Sequence, residues 1–156
     1  MTKIAIIRIA GQQGLNEKIK TTFRLLNLHK KNTCVLVPAT KQTQGMINVL
    51  KDSITWGEID KITLSQLLEK RGRIIGNQPL TKEYVKEKTK LEFDKFVDEL
   101  LNDVKQIKDV EGLKPFFRLL PPRKGFERKG TKRHFAVGGA LGYRKEKIND
   151  LIQRML

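Results

Sequence analysis

Among its 156 residues the chain has one cysteine, Cys34, which excludes an intramolecular disulfide and a cysteine-ligated zinc cluster. That usage fits a reducing, cytosolic setting. Aromatic residues make up only 6% of the chain, so Leu, Ile and Val have to build most of any core. Long apolar runs are missing as well. The stretch Ile4 to Ile9 is broken by Arg8 and is far too short for a membrane span or for the apolar core of a signal peptide with its cleavage site. No membrane association is expected, and nothing directs the protein out of the cytoplasm. No GxxxxGK[ST], HExxH or GxSxG pattern occurs, so the motifs for phosphate cradling, zinc hydrolysis and acyl transfer are absent. His29 and His134 each stand among basic residues without a second ligand at usable spacing, and neither a metal nor a cofactor is implied.

Negative charge is also scarce. Seventeen Asp and Glu face 32 Lys and Arg, giving a net charge of +15, which favours a polyanion as partner over a neutral small molecule. The excess is uneven. Residues 1–57 carry nine cations and two acids, residues 58–111 eleven and twelve, and residues 112–156 twelve and three. The middle third is therefore an ordinary solvated stretch, and the two ends hold the electrostatic footprint. If both ends face one partner, the middle projects away from it. Within the last third, Arg118 to Lys147 holds ten cations, two Glu, two adjacent prolines, five glycines and three aromatic rings. Such a segment has little periodicity with which to form a core and is expected to need an anionic partner to become ordered. Glycines allow close backbone approach, prolines hold the chain extended and Arg and Lys supply phosphate contacts, so a nucleic acid uses all three features.

The hydrophobic pattern predicts an α/β (α+β) chain. Lys3 to Ala10 reads as a strand, GQQG at 11–14 as a turn, and Asn16 as the N-cap of a helix to about Leu28 with Ile19, Phe23 and Leu26 on its inner face. Thr33 to Val37 is a second strand ended by Pro38. A second helix is expected from near Thr43, with Met46, Ile47 and Leu50 buried, then a third strand at Ile54 to Ile59. The result is a small β-α-β-α-β core over residues 1–60 with both helices on one face. A helical extension follows over 61–111, with capping boxes at Thr63/Gln66 and Thr89/Glu92, a helix start at Thr81, and Phe93, Phe96, Val97, Leu100, Leu101 and Val104 at helical spacing. Residues 112–156 form the basic extension. Phe116 to Leu120 is a candidate strand at its start, and Ile148, Leu151, Ile152 and Met155 make an amphipathic helix at its end, so the basic stretch is a loop tethered at both sides.

The candidate contacts follow from charge and position. Lys20 and Arg24 lie four apart on one helix, Lys30 and Lys31 share a turn with His29, Lys41 precedes the second helix, and Arg71 and Arg73 flank a helix stop. Isolated charges like these are ordinarily just surface. The case is stronger for Arg123, Lys124, Arg128, Lys129, Lys132 and Arg133, six cations in eleven residues that repel one another if left unpaired. Arg118, His134, Arg144 and Lys145 extend the same set. GGALG at 138–142 lacks the preceding strand, the full glycine pattern and the later acid of a dinucleotide fingerprint, and reads instead as close approach to RNA. Phe126, Phe135 and Tyr143 have two readings, stacking on bases or packing on the domain. Glu58 and Asp60, the one close acidic pair in the first third, read as a solvated strand end.

The residues GLNEKIKTTFRLLNL at 14–28, VPAT at 37–40, QGMINVL at 44–50 and TWGEI at 55–59, in that order of elements, resemble the universal large-subunit ribosomal protein thirty family, called protein seven in the eukaryotic large subunit. LSQLLEKRG at 64–72, NQPLTKEYV at 77–85, and FRLLPP at 117–122 with GGALG are similar to the continuation found in archaeal-type members. The resemblance implies a ferredoxin-like core, binding to large-subunit ribosomal RNA, neighbouring ribosomal proteins as further partners, no homo-oligomer and no catalytic activity. The small RNA of the large subunit is a second candidate partner. A competing reading from another class is an RNA-processing or RNA-modifying enzyme that holds substrate on the same basic surface and uses the region of Glu58, Asp60 and His29 for chemistry. A third is a chromatin-like DNA packager.

Overall fold

A computed structural model describes residues 3–156. Three strands of the first third form the centre of a five-stranded sheet: β1 (Lys3–Arg8), β2 (Thr33–Pro38) and β3 (Ile54–Glu58). Two short strands from the last third, β4 (Phe117–Arg118) and β5 (Gly142–Tyr143), add the edges, in the order β4-β2-β1-β3-β5. β1 runs antiparallel to both neighbours, with Ile7 opposite Cys34 and Thr55, and Ile4 opposite Val37 and Glu58. β4 pairs antiparallel with β2, and β5 pairs parallel with β3. The basic stretch therefore runs between the two opposite edges of the sheet.

Alternation along β1 divides the core into two layers. Ile4 and Ile6 face α1 (Glu17–Leu25) and α2 (Lys41–Leu50), where Ile6, Phe23, Val35, Ile47, Leu50 and Ile54 pack together. Ala5, Ile7 and Ile9 face the other side, against α3 (Lys61–Arg71), α4 (Lys82–Thr89), α5 (Phe93–Leu101) and α6 (Ile148–Met155). Burying a residue such as Ile6, Leu64 or Leu151 contributes roughly 1.5–3 kcal/mol. This is the small β-α-β-α-β core with a helical extension and a C-terminal helix that the pattern predicts, ferredoxin-like as the family resemblance implies, and both faces of its sheet are covered.

Several local expectations need correction. α2 starts at Lys41, because Thr40 rather than a later residue caps it by accepting from the Thr43 amide, and Thr43 joins Ile47 and Leu50 in the buried stripe while Met46 is only half-buried. Neither expected capping box forms. Thr63 is buried inside α3, whose N-cap is Asp60, and the Asp60 amide donates to Asn149 Oδ1 at 3.0 Å. Thr89 belongs to the end of α4, where its hydroxyl donates to the Val85 carbonyl and Lys90 turns left-handed. Glu92 takes the N-cap of α5 with no side-chain bond, and Val104 lies beyond that helix, exposed. Asn16 and Thr81 do cap α1 and α4.

Gly57 allows the last third to dock. A Cβ there would stand 2.1 Å from the Lys145 carbonyl oxygen and 2.9 Å from Ile148 Cβ, so only glycine lets the start of α6 lie directly on β3.

Candidate nucleic-acid interface

The candidate surface is built around a residue that composition shows only as an interruption. Arg8, at the end of β1, is 2% exposed. Even parity turns it toward α1, where its guanidinium lies 3.9 Å from the centre of the Phe23 ring. It donates to the carbonyls of Leu28 at 2.7 Å, His29 at 3.1 Å, Ala10 at 3.0 Å and Gly11 at 2.9 Å. Burial lowers its pKa, yet an arginine remains charged at neutral pH. One buried cation thus fixes both the loop after β1 and the turn before β2. Around it Lys20, Arg24, His29 and Lys30 converge on a hollow of about 270 Å³ floored by Phe23. The signal available in the sequence was an Arg at a core-facing position of an apolar strand.

The basic stretch crosses the same end of the sheet. The Leu119 amide donates to the Asn32 carbonyl at 2.9 Å, at the start of β2. Thr131 and Lys132 share a hollow with Ala10, Gly11 and Lys31 at the end of β1. His134 Nε2 lies 3.1 Å from Asp52 Oδ1, just before β3. Further along, Arg123 and Lys124 sit with Arg154 near the end of α6, where the Arg123 amide donates to the Arg154 carbonyl. Lys31, Lys132 and His134, with Arg133 between the last two, are therefore brought to the sheet end already occupied by Lys20, Arg24, His29 and Lys30, Arg118 is exposed on edge strand β4 close by, and Arg123 and Lys124 lie instead along α6 beside Asp150. Among the described residues none of Arg123, Lys124, Arg128, Lys129, Lys132 and Arg133 forms an ion pair with an acid.

Other expected contacts are placed differently. Arg144 is 2% exposed and faces inward: Nη2 donates to Glu127 Oε2 at 2.7 Å and to the Ala140 carbonyl at 2.8 Å, Nη1 pairs with Glu127 Oε1, and Nε donates to Thr55 Oγ1 at 2.8 Å. Its guanidinium also covers the Phe135 ring at 4.6 Å. Burial by itself would raise the Glu127 carboxyl, but the hydrogen bonds and charges of Arg144, with Arg154 beyond, outweigh it and hold the group below the usual glutamate range. Arg71 donates to the Leu156 carbonyl, and half-buried Arg73 lies in a bridge to Pro79. Lys41 begins α2 at the far end of the sheet, and Lys145 lies beside Tyr143 at that same far end. The glycine run approaches its own chain. A Cβ on Gly139 would stand 2.1 Å from the Arg133 carbonyl oxygen, and Ala140 beside it is buried.

The residues required by the enzyme reading are not assembled. His29 is held by Arg8 at one end of the sheet, while Glu58 pairs with Ile4 at the other, roughly 13 Å away along the strand. Asp60 caps α3 and Glu58 accepts a hydrogen bond from Tyr143. Among the described residues no group of three or more His, Cys, Asp and Glu is placed to hold a metal ion, and no helix is long and apolar enough to cross a membrane.

The chain is similar to known proteins along its whole length. A family model described as ribosomal protein L30p/L7e matches residues 4–54. Across its whole length the chain is 49% identical to a Nanoarchaeum equitans protein named large ribosomal subunit protein uL30, with all of both chains covered. A Methanococcus maripaludis protein of the same name is 47% identical over 97% of this chain and 98% of its own. One from Methanopyrus kandleri is 43% identical over 94% and 99%.

Proposed function

The chain belongs to the ribosomal protein L30p/L7e family, and on that premise we propose that its cationic sheet end binds ribosomal RNA in the large subunit. It is a structural constituent of that subunit, in the cytoplasm, and does not act as an RNA-directed enzyme. One observation carries the RNA-binding reading: cations far apart in sequence, Lys20 to Lys31 and Lys132 to His134, meet at a single end of the sheet, and among the described residues none of the six Lys and Arg from Arg123 to Arg133 is in an ion pair, while His134 is held by Asp52. Phosphates that fill this surface relieve the repulsion and release counterions. Lys20, Arg24, His29, Lys30 and Lys31 form one half of the interface, and Arg118, Arg123, Lys124, Arg128, Lys129, Lys132, Arg133 and His134 the other. The paired rings of Trp56 and Tyr143 lie away from this surface, so recognition here is of backbone shape and charge rather than of stacked bases.

Sedimentation of extract from cells carrying the tagged chain tests the assignment. The chain is expected with the large subunit at moderate salt and released from it as salt is raised. Recovery away from the large subunit at moderate salt would defeat the proposal.

A further inference from the structure

The groove between α2 and the β3–β5 edge of the sheet differs in chemistry from four other hollows formed by the described residues. Those four each include at least one Lys or Arg, but none lines this one, in a chain of net charge +15. It encloses about 360 Å³ over a floor of Ile4 and Ile47. One wall is the Trp56 ring stacked on Tyr143, with centroids 6.2 Å apart and planes inclined by 29°. Thr40, Gln44 and Asn48 supply a neutral polar rim, and Glu58 closes the end. The groove lies at the opposite end of the sheet from the hollows around Arg8 and around Lys31 and Lys132, so the RNA proposed there leaves it open; the hollow that adjoins it across Tyr143 holds Lys145 and Lys147.

Two features specify the occupant's charge. The ring faces of Trp and Tyr attract cations. Glu58 accepts the Tyr143 hydroxyl on Oε1, while Oε2 is shielded from solvent and has no hydrogen-bond partner among the described residues. A carboxylate oxygen in that condition is unfavourable until a donor reaches it. Glu58 also lines the hollow beyond Tyr143, so space lies on either side of the carboxyl, and its terminal torsion is a soft one. Within this groove a phosphate would meet a carboxylate and, among the described residues, no lining cation, Lys145 and Lys147 belonging to the hollow beyond Tyr143, which argues against RNA as occupant. Arginine meets these conditions better than lysine, because its planar fork stacks on a ring and donates to a carboxylate at once.

We propose that this groove receives an arginine side chain from an extended basic segment of a neighbouring protein, its guanidinium lying against Trp56 and Tyr143 and donating to Glu58. The identity of that neighbour rests on the ribosomal reading, but the chemistry of the groove does not, and it is testable on the isolated chain. Trp56 is the sole tryptophan, so its emission reports on the groove directly. The full-length chain is titrated with the peptide acetyl-Gly-Arg-Gly-Arg-Gly-amide and with its citrulline counterpart, which keeps the shape and removes the charge. A saturable change in Trp56 emission is expected with the arginine peptide, at least about tenfold weaker for the citrulline peptide and for Glu58→Gln. Gln44→Lys, on the exposed side of α2, leaves the sheet untouched and places a tethered ammonium at the mouth; it is expected to weaken binding by a similar factor. Equal binding of the two peptides, indifference to both substitutions, or the lack of a saturable response overturns the proposal. So does a single-stranded RNA oligonucleotide that quenches Trp56 and is insensitive to Gln44→Lys, which would assign the groove to a base. Sedimentation with the large subunit is read independently, so failure of one proposal is distinguishable from failure of the other.

Discussion

Replacing Arg144 by Met should cost about 3–5 kcal/mol of folding stability while leaving the salt dependence of RNA binding unchanged. Composition places Arg144 among the phosphate-binding cations; its burial makes it the internal clasp of the basic segment. Met matches the stem in bulk and supplies no donor. Glu127 is then left with Arg154 at 3.5 Å as its remaining ionic partner, and the Ala140 carbonyl is deprived of its side-chain donor. Breaking a buried pair from one side strands the other charge, which is where a cost of that size arises. Glu127→Leu in the Arg144→Met background should restore part of the stability, with a coupling energy of about 2 kcal/mol in the double-mutant cycle. Urea unfolding followed by Trp56 emission and far-ultraviolet dichroism gives the stabilities, and RNA affinity over a series of salt concentrations gives the slope. Removing a cation that neutralises one phosphate flattens that slope by about 0.7–0.9. If Arg144→Met flattens the slope by that amount and costs under about 1 kcal/mol, the guanidinium faces phosphate rather than Glu127, and the clasp does not exist.

Converting Arg128, Lys129, Lys132 and Arg133 together to Gln should do the reverse, flattening the salt slope by about 3 with no fall in melting temperature, since none of the four is paired with an acid. Gly57→Ala should destabilise by about 1–3 kcal/mol, because the new methyl collides with the Lys145 carbonyl and the start of α6, whereas Gly45→Ala, with open space around it in α2, should stabilise by up to about 1 kcal/mol; thermal unfolding separates the two. Cys34 is buried and its thiol is pushed up to about 12, so at pH 8 a small disulfide reagent should react with it only as the chain unfolds, followed by absorbance with and without denaturant. Glu127 has a depressed pKa, so its contribution is fully present above the ordinary glutamate value of about 4.3 and is lost as pH falls through the lower folded value; Glu127→Gln should remove that part of the acid sensitivity of stability, measured by urea unfolding across the acid range.

What could be read from sequence depended on whether a local signal decides the outcome. The three central strands and α1 were legible because β-branched runs and the Asn16 cap are settled within a few residues. Thr63 and Thr89 have the spacing of caps and are not caps, since one is claimed by the core and the other by the end of the preceding helix. β5 leaves no pattern in two residues; its register comes from Thr55, whose hydroxyl donates to the Gly142 carbonyl 87 residues away. Among the cations, an exposed and a buried side chain contribute the same unit to a count, so composition does not separate Arg144 from Lys132 or show Arg8 as more than a break in an apolar run. Glu127 was the available clue: an acid amid many cations is well placed to be the internal partner of one of them.

That internal partner bears on how the basic stretch binds. Ten cations with little periodicity argue for a segment ordered only by RNA, but here its backbone closes on itself through bonds such as Ala140 to Gly130 and Leu141 to Arg133. Glu127 draws Arg144 and Arg154 inward, and β4 and β5 fix the two ends of the stretch on opposite edges of the sheet. The stretch is thus a strap laid across one end of the sheet, with Arg128, Lys129, Lys132 and Arg133 left outside. Association of a strap already held in place avoids most of the ordering cost that a free tail of the same composition would carry, so the same phosphate contacts give tighter binding. Repulsion among the outward cations works against the free chain, and the ion pair at Glu127 offsets part of it. A segment that would otherwise be disordered is on this account arranged for a polyanion before one arrives.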